Sequence, residues 1–320
     1  MKRVEFLFDR ILERENLLLA YAKASRGKCL RRERIEFGEN LEVNLAALAQ
    51  GLREMSYPVG NYSRFTIHDP KEREICAAAF SERVLHHALM NVCGPHFERW
   101  MIFDSYASRK GKGQLRAVRR AQEFAGRCRW FLKCDIRKFF DSIPHGRLLV
   151  KLESKIKDPF VLAWFEKLVG TYEKSPGRGL PIGNLTSQYF ANLYLDGMDR
   201  LASPYVRYMD DFVFWGNDKD SLLSLRDRVE TFANAELGLE LRQMPFVNRT
   251  RAGMDFLGFR VFPDCVALSR ASARRYIARV RGIVRHCSDE KRAQMRLTSM
   301  TAFAVQADSH AWRAEKLKDL

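Results

Sequence analysis

The feature that most constrains this chain is a pair of adjacent carboxylates inside an apolar, strand-forming run, Val206-Arg207-Tyr208-Met209-Asp210-Asp211-Phe212-Val213-Phe214-Trp215-Gly216. Val206, Phe212, Val213 and Phe214 favour extended backbone, and Gly216-Asn217-Asp218 closes the run as a turn. The pattern predicts a β-hairpin with Asp210 and Asp211 at or near its tip. Carboxylates side by side in apolar surroundings repel each other unless positive charge lies beside them. A divalent cation supplies that charge, and oxygen donors with no His or Cys close by favour Mg²⁺ over Zn²⁺. Taken alone, the dipeptide reads first as a tight solvated turn.

A second stretch changes that balance. Trp130-Phe131-Leu132-Lys133-Cys134-Asp135 is another apolar run that ends in a carboxylate, followed by Ile136-Arg137-Lys138-Phe139-Phe140. If both strands lie in one sheet, Asp135 meets Asp210 and Asp211. Such a cluster can hold two metal ions about 4 Å apart, as used for in-line displacement at phosphorus. The string Tyr208-Met209-Asp210-Asp211 after a strand, with Asp135-Ile136-Arg137-Lys138-Phe139-Phe140 upstream, resembles the palm of reverse transcriptases.

The resemblance implies an α+β right-hand polymerase with fingers, a palm of antiparallel sheet backed by helices, and a small helical thumb. It implies an RNA-directed DNA polymerase with Asp135, Asp210 and Asp211 as catalytic residues and Asp135, Ile136, Asp210 and Asp211 as the metal-holding set. Two Mg²⁺ ions, with Mn²⁺ able to substitute, would be the cofactors. Template RNA, a DNA or RNA primer and deoxynucleoside triphosphates would be the partners. Phe140 stands five residues after Asp135, where the family places an aromatic gate under the incoming sugar. Either Phe139 or Phe140 is expected in the core, because neighbours on an extended chain point to opposite faces.

Charge agrees with a nucleic-acid partner. The 320 residues carry a formal net charge of +16, which calls for a polyanion. No apolar run approaches the length of a membrane span and the start lacks a signal-like core, so the expectation is a cytoplasmic protein; a prokaryotic or phage-encoded source is what the resemblance implies. Cys29, Cys76, Cys93, Cys128, Cys134, Cys265 and Cys287 are scattered without a Cys-x-x-Cys pair, which reads as reduced thiols rather than a disulfide framework or zinc site.

In chain order, the expected parts are a helical extension over 1–40, fingers over 41–130, palm over 131–262 and helical thumb over 263–320. Part of 145–180 is allowed to return to the fingers, and no nuclease or maturase domain is expected after the thumb. Lys28 to Arg34 reads as a basic loop. Asn40 is a candidate cap for a helix from Leu41 to Met55. Phe65 to His68 is a strand candidate, and the patterned stretch from Ile75 to Met90 reads as a helix that Gly94-Pro95 ends. His86 and His87 diverge by about 100° on such a helix, so packing or hydrogen bonding is expected rather than a shared metal. Leu148 to Lys174, Tyr189 to Leu201 and residues 219–241 read as further helices. Residues 253–261 read as strand-turn-strand.

Two segments are lopsidedly basic. Over 105–133, Arg109, Lys110, Lys112, Arg116, Arg119, Arg120, Arg127, Arg129 and Lys133 face only Glu123. From Ser269 to Cys287 a helix is expected with Ile277, Val280, Ile283, Val284 and Cys287 inward and Arg270, Arg274, Arg275, Arg279, Arg281 and Arg285 outward. Phosphates are natural counterions for both. By resemblance, Lys71, Arg73 and Arg109 are candidates for the incoming triphosphate or template, and Lys112, Arg116, Arg119, Arg274 and Arg281 for nucleic acid.

The string Gly179-Leu180-Pro181-Ile182-Gly183-Asn184-Leu185-Thr186-Ser187-Gln188 permits close backbone approach, with Thr186 or Ser187 expected to start a helix. It resembles the reverse transcriptase motif under the template and nascent base pair, which brings Ile182, Gly183 and Gln188 into the nucleotide-binding set. Retroviral and group II intron enzymes carry Gln where this chain has Ile182 and Pro where it has Gln188. Ile-Gly-x-x-x-Ser-Gln is similar to the reverse transcriptases of diversity-generating retroelements. That subfamily resemblance implies error-prone copying of a template-repeat RNA, mutagenic retrohoming and a basic accessory variability determinant protein. The alternatives are a retron or phage-defence reverse transcriptase, or an inactive palm that only binds RNA.

Overall fold

The computed structural model describes residues 3–27, 31–68, 72–242, 245–286 and 289–318. The chain opens with four helices, α1 (Phe8–Leu12), α2 (Arg14–Ser25), α3 (Arg32–Glu39) and α4 (Leu41–Arg53). Strands β1 (Tyr62–Ile67) and β2 (Arg73–Ala78) form an antiparallel ribbon ahead of helix α5 (Phe80–Trp100). Helix α6 (Gln114–Arg127) leads into β3 (Trp130–Asp135). Helices α7 (Phe139–Ser142), α8 (His145–Glu153), α9 (Pro159–Val169) and α10 (Leu185–Tyr194) follow. The hairpin β4 (Tyr205–Tyr208) and β5 (Asp211–Gly216) precedes α11 (Lys219–Thr231). The remainder is β6 (Phe246–Arg249), β7 (Met254–Phe256), β8 (Phe259–Val261), β9 (Val266–Leu268), α12 (Arg270–His286), α13 (Glu290–Ala304) and α14 (His310–Lys316). All sheets are antiparallel, which makes the chain α+β as expected.

Contacts gather the chain into two units, residues 1–102, 136–198 and 231–240 in one and 103–135, 199–230 and 241–320 in the other. In the first, α5 packs on α2 and α10 and is buried along most of its length. Gly94-Pro95 does not end α5, contrary to expectation. Phe97 and Trp100 beyond it are 0% and 4% exposed, and this burial holds the last turns against the local penalty of a helical proline. The helix expected from Ile75 starts instead at Phe80, because Ile75 to Ala78 pair with β1.

The single helix expected over 148–174 is two. Asp158 caps α9 by accepting from Val161 N at 3.2 Å, with Pro159 in the first helical turn. The same carboxylate accepts from Leu7 N and Phe8 N at 2.8 and 2.9 Å and so ties down the chain's first helix. Asn40 makes no side-chain cap on α4. The basic loop expected from Lys28 lies partly outside the described residues, and α3 already begins at Arg32.

In the second unit the main sheet has strand order β4-β5-β3-β6. Phe212, Val213, Phe214 and Trp215 of β5 are all buried, so this strand is apolar on both faces. Ala117, Val118, Ala121 and Phe124 of α6 join Val206, Val213 and Trp215 in one core. Arg120, on the same helix, donates to Asp104 at 3.0 Å and to Glu123 at 2.7 Å, so the basic segment is less unopposed than its own composition indicates.

The expected strand-turn-strand is β7 and β8, joined by Leu257 (φ 52°) and Gly258 (φ 85°), the two positive dihedrals of a tight hairpin. The helix expected over 219–241 ends at Thr231 in a π-turn. On α12 the outward arginines follow expectation, but Val284 is 50% exposed and not inward. The buried face centres on Tyr276, Val280 and Ile283, which leaves Val284 at its rim. Cys287 lies outside the described residues. Among the described residues no helix is long and apolar enough to cross a membrane, and the five described cysteines are unpaired.

Candidate active site

Strand register brings three aspartates to one end of the main sheet. Tyr208 pairs with Asp211 across the β4–β5 hairpin, so Met209 and Asp210 form its tip. Met209 adopts a left-handed φ of 57°, uncommon for a non-glycine residue. Asp135, the last residue of β3, pairs with Asp211 in the next strand. All three side chains are half-buried.

Two cations attend them. Lys133 Nζ lies 3.4 Å from Asp211 Oδ1 and donates to the Asp255 carbonyl at 2.5 Å. Arg242 donates from its backbone N–H to the Asp135 carbonyl at 2.8 Å and from Nη1 to Asp135 Oδ2 at 3.3 Å. Burial pushes the Asp211 carboxyl up to about 7; Lys133 opposes that rise, and the like charges of Asp135 and Asp210 add to it. Lys133 thus belongs to the carboxylate cluster rather than to a phosphate-facing surface. Strand alternation could have shown it, since Lys133 and Asp135 are two residues apart on one face of β3. Arg242 reaches the site from a loop, and no local pattern marks it.

The donors suit a hard divalent cation. They are carboxylate oxygens, the buried Asp211 Oδ1 has no partner among the described residues beyond Lys133 Nζ at 3.4 Å, and burial, with the like charges of Asp135 and Asp210 added, disfavours its ionised form unless a cation is near. Among the described residues no three His, Cys, Asp or Glu side chains already converge as a metal cage. Asp135 and Asp211 are turned towards Arg242 and Lys133 instead. Ile136 is 1% exposed and apolar, so only its main-chain carbonyl can ligate.

The other expected residues are distributed between the units. Arg109, Lys112, Arg116, Arg119, Arg274 and Arg281 share the unit of the three aspartates. Arg109 donates to the Ser105 carbonyl at 2.9 Å, Lys112 sits 3.2 Å above the Phe103 ring, and Arg116 donates to the Gly111 carbonyl. Arg119, Arg274 and Arg281 are exposed.

Arg73, Phe140, Ile182, Gly183 and Gln188 lie in the other unit. Arg73 is exposed at the start of β2, and Lys71 falls outside the described residues. Phe139 is buried and Phe140 half-buried, but they sit on the helical turn α7, so a helical turn rather than strand alternation separates them. The Ile182 carbonyl accepts from Cys76 N at 2.8 Å. Gly183 has φ 127°, and a Cβ there would lie 2.8 Å from the Cys76 carbonyl oxygen. Gln188 is half-buried on α10.

Neither Thr186 nor Ser187 starts that helix; it begins at Leu185, and both hydroxyl residues are buried. Thr186 Oγ1 is 2.9 Å from His86 Nδ1, and His86 Nε2 is 3.3 Å from Glu82 Oε1, the packing and hydrogen-bonding role expected for His86.

Comparison with known proteins agrees with this geometry. The profile of the family described as "Reverse transcriptase (RNA-dependent DNA polymerase)" matches residues 68–261. The group II intron-encoded protein LtrA of Lactococcus lactis subsp. cremoris is 24% identical over 171 residues, 50% of this chain and 28% of that protein. An uncharacterized 91 kDa protein in the cob intron of Schizosaccharomyces pombe is 26% identical over 204 residues, 60% of this chain and 25% of its own length. The chain therefore spans between a quarter and a third of these relatives. The solved structure of apo telomerase from Candida tropicalis matches with a TM-score of 0.51 at 11% identity, covering 81% of this chain and 59% of that one, a likeness of fold.

Proposed function

This chain belongs to the reverse transcriptase (RNA-dependent DNA polymerase) family, and from that premise we propose that it extends a primer with deoxynucleotides on an RNA template. The observation that carries the reading is the register that sets Asp135 against Asp211 with Asp210 at the adjoining hairpin tip. Bound divalent cations, Mg²⁺ in this reading, would supply activation of the primer 3′-hydroxyl and charge stabilisation on the leaving pyrophosphate. Asp135, Asp210 and Asp211 would hold them, with the Ile136 carbonyl as a further oxygen. Arg242 holds Asp135 in place, and Lys133 holds Asp211 and opposes the rise that burial imposes on its carboxyl. Phe140 is the proposed gate that excludes a ribose 2′-hydroxyl, and Arg73, Arg109, Gly183 and Gln188 contribute to nucleotide binding.

The finer reading is the error-prone enzyme of a diversity-generating retroelement, copying a template-repeat RNA for mutagenic retrohoming with a basic accessory protein. Ile182 and Gln188 within Ile-Gly-x-x-x-Ser-Gln support it. An amide beside the nascent pair can donate and accept hydrogen bonds, whereas Ile offers shape alone. A lost contact of about 1–2 kcal/mol reduces discrimination roughly 5–30-fold. The similarity to intron-encoded proteins favours a second reading, a reverse transcriptase of group II intron type without the adenine-directed errors.

Primer extension on RNA, with the cDNA sequenced, tests both. Wild type should misincorporate most opposite template adenine, and Ile182→Gln should lower those errors while extension continues. Uniformly accurate cDNA from wild type selects the second reading, and absence of RNA-directed extension contradicts both.

A further inference from the structure

Strand β4 carries a charge that the chemistry above does not use. The side chains of Arg207 and Asp199 are both 0% exposed. Arg207 Nε donates to Asp199 Oδ1 at 2.5 Å and Nη2 to Oδ2 at 2.7 Å, a two-pronged pair. The third nitrogen, Nη1, donates to the Met209 carbonyl at 3.2 Å. Met209 is the left-handed residue of the hairpin tip and directly precedes Asp210. Tyr205 hydroxyl also donates to Asp199 Oδ1, at 2.8 Å. The Arg207 backbone is held as well: its N–H donates to the Asp104 carbonyl and its carbonyl accepts from Tyr106 N, both at 2.9 Å.

A buried ion pair is weak evidence for stability, because well-packed apolar residues of the same volume often serve as well. What they cannot do is grip a carbonyl. The guanidinium fork presents donors to a carboxylate and a neighbouring carbonyl from separate nitrogens held rigidly in one plane; a lysine ammonium must donate from a single nitrogen on a flexible stem and cannot reproduce that geometry. We infer that Arg207 is a positioning residue: locked by Asp199 and by the 104–106 segment, it fixes the Met209 carbonyl and so the direction in which Asp210 and Asp211 present their carboxylates to divalent cations. This rests on the polymerase reading for its consequence in catalysis, but its effect on cation binding does not.

The test uses two variants of the full chain, Arg207→Lys and the apolar replacement Asp199→Leu/Tyr205→Phe/Arg207→Met. The second removes the charges and the dependent hydroxyl together, so no polar side chain is left orphaned among them. Four quantities are measured: thermal melting, template–primer affinity, Mn²⁺ affinity of the otherwise metal-free protein by the resonance signal of free Mn²⁺, and steady-state extension. Expected are cooperative melting, unchanged template–primer affinity, Mn²⁺ binding weakened about tenfold, and kcat lowered about 10–100-fold with the nucleotide KM changed less than about threefold.

Arg207→Lys keeps a cation against Asp199, so it decides on the same readouts if the apolar replacement does not fold. Wild-type Mn²⁺ affinity and kcat in a folded variant would overturn the inference while leaving the polymerase reading standing. Weakened Mn²⁺ binding in the variants of a chain whose wild type does not extend primers would leave the inference standing and remove the polymerase reading.

Discussion

Asp211 carries opposing demands in one side chain. Burial, with Asp135 and Asp210 as neighbours, raises its carboxyl to about 7. A raised carboxyl means that the folded chain binds a proton the unfolded chain has already released. Stability from that proton is present at low pH and is lost as pH rises through about 7. Asp211→Asn should therefore stabilise the metal-free protein by about 1–2 kcal/mol at pH 8, and by much less at pH 5. Melting curves at the two pH values, with a chelator present, check this. An equal shift at both would show that ionising this buried carboxyl is not what strains the site. The aspartates are legible in the sequence because Asp135 ends one apolar run and Asp210-Asp211 interrupts another. Lys133 reads as surface charge in a count of residues by sign, because such a count ignores which face of a strand they share. Thr186 reads as a helix start because its partner, His86, is a hundred residues away.

At the scale of elements, short-range patterns are enough for the hairpin, β3, the β7–β8 connection and α12. Where they mislead along α5, the cause is burial that overrides a local signal. Pro95 reads as a stop, yet α5 continues because Phe97 and Trp100 have a core to fill. The opposite error, one helix expected over 148–174, arises because an apolar pattern hides Asp158-Pro159, a capping residue followed by proline. Gly183 carries the element-scale prediction. Its φ of 127° and the Cys76 carbonyl oxygen, 2.8 Å from where a Cβ would stand, leave no room for a side chain in the turn joined to β2. Gly183→Ala should destabilise the protein by about 1–3 kcal/mol, read as a lowered denaturant midpoint with an unchanged slope. An unchanged midpoint would mean that this turn relaxes freely.

The whole molecule carries a formal net charge of +16, and its basic residues are expected to act together on phosphates. Template–primer affinity should fall steeply with salt, and Arg274→Ala or Arg281→Ala should each lower the magnitude of the log–log slope by about 1. A slope unaltered by both substitutions would place the duplex away from α12. The α+β class is legible, since strand-like runs with turn chemistry alternate with amphipathic stretches. The assembly of each unit from three separate stretches is not, because the chain passes between units at 102/103, 135/136, 198/199, 230/231 and 240/241 without a change in local pattern.

The most direct measurement is deoxynucleotide incorporation on an RNA template in Mg²⁺ by wild type and by Asp210→Ala/Asp211→Ala, with template–primer affinity measured on the same preparations. Wild type should extend the primer. The double variant should bind template–primer with unchanged affinity and extend it more than about 10³-fold more slowly, since the residues that hold the catalytic cations are gone. Substantial extension by the folded double variant would contradict the assignment of chemistry to this carboxylate site.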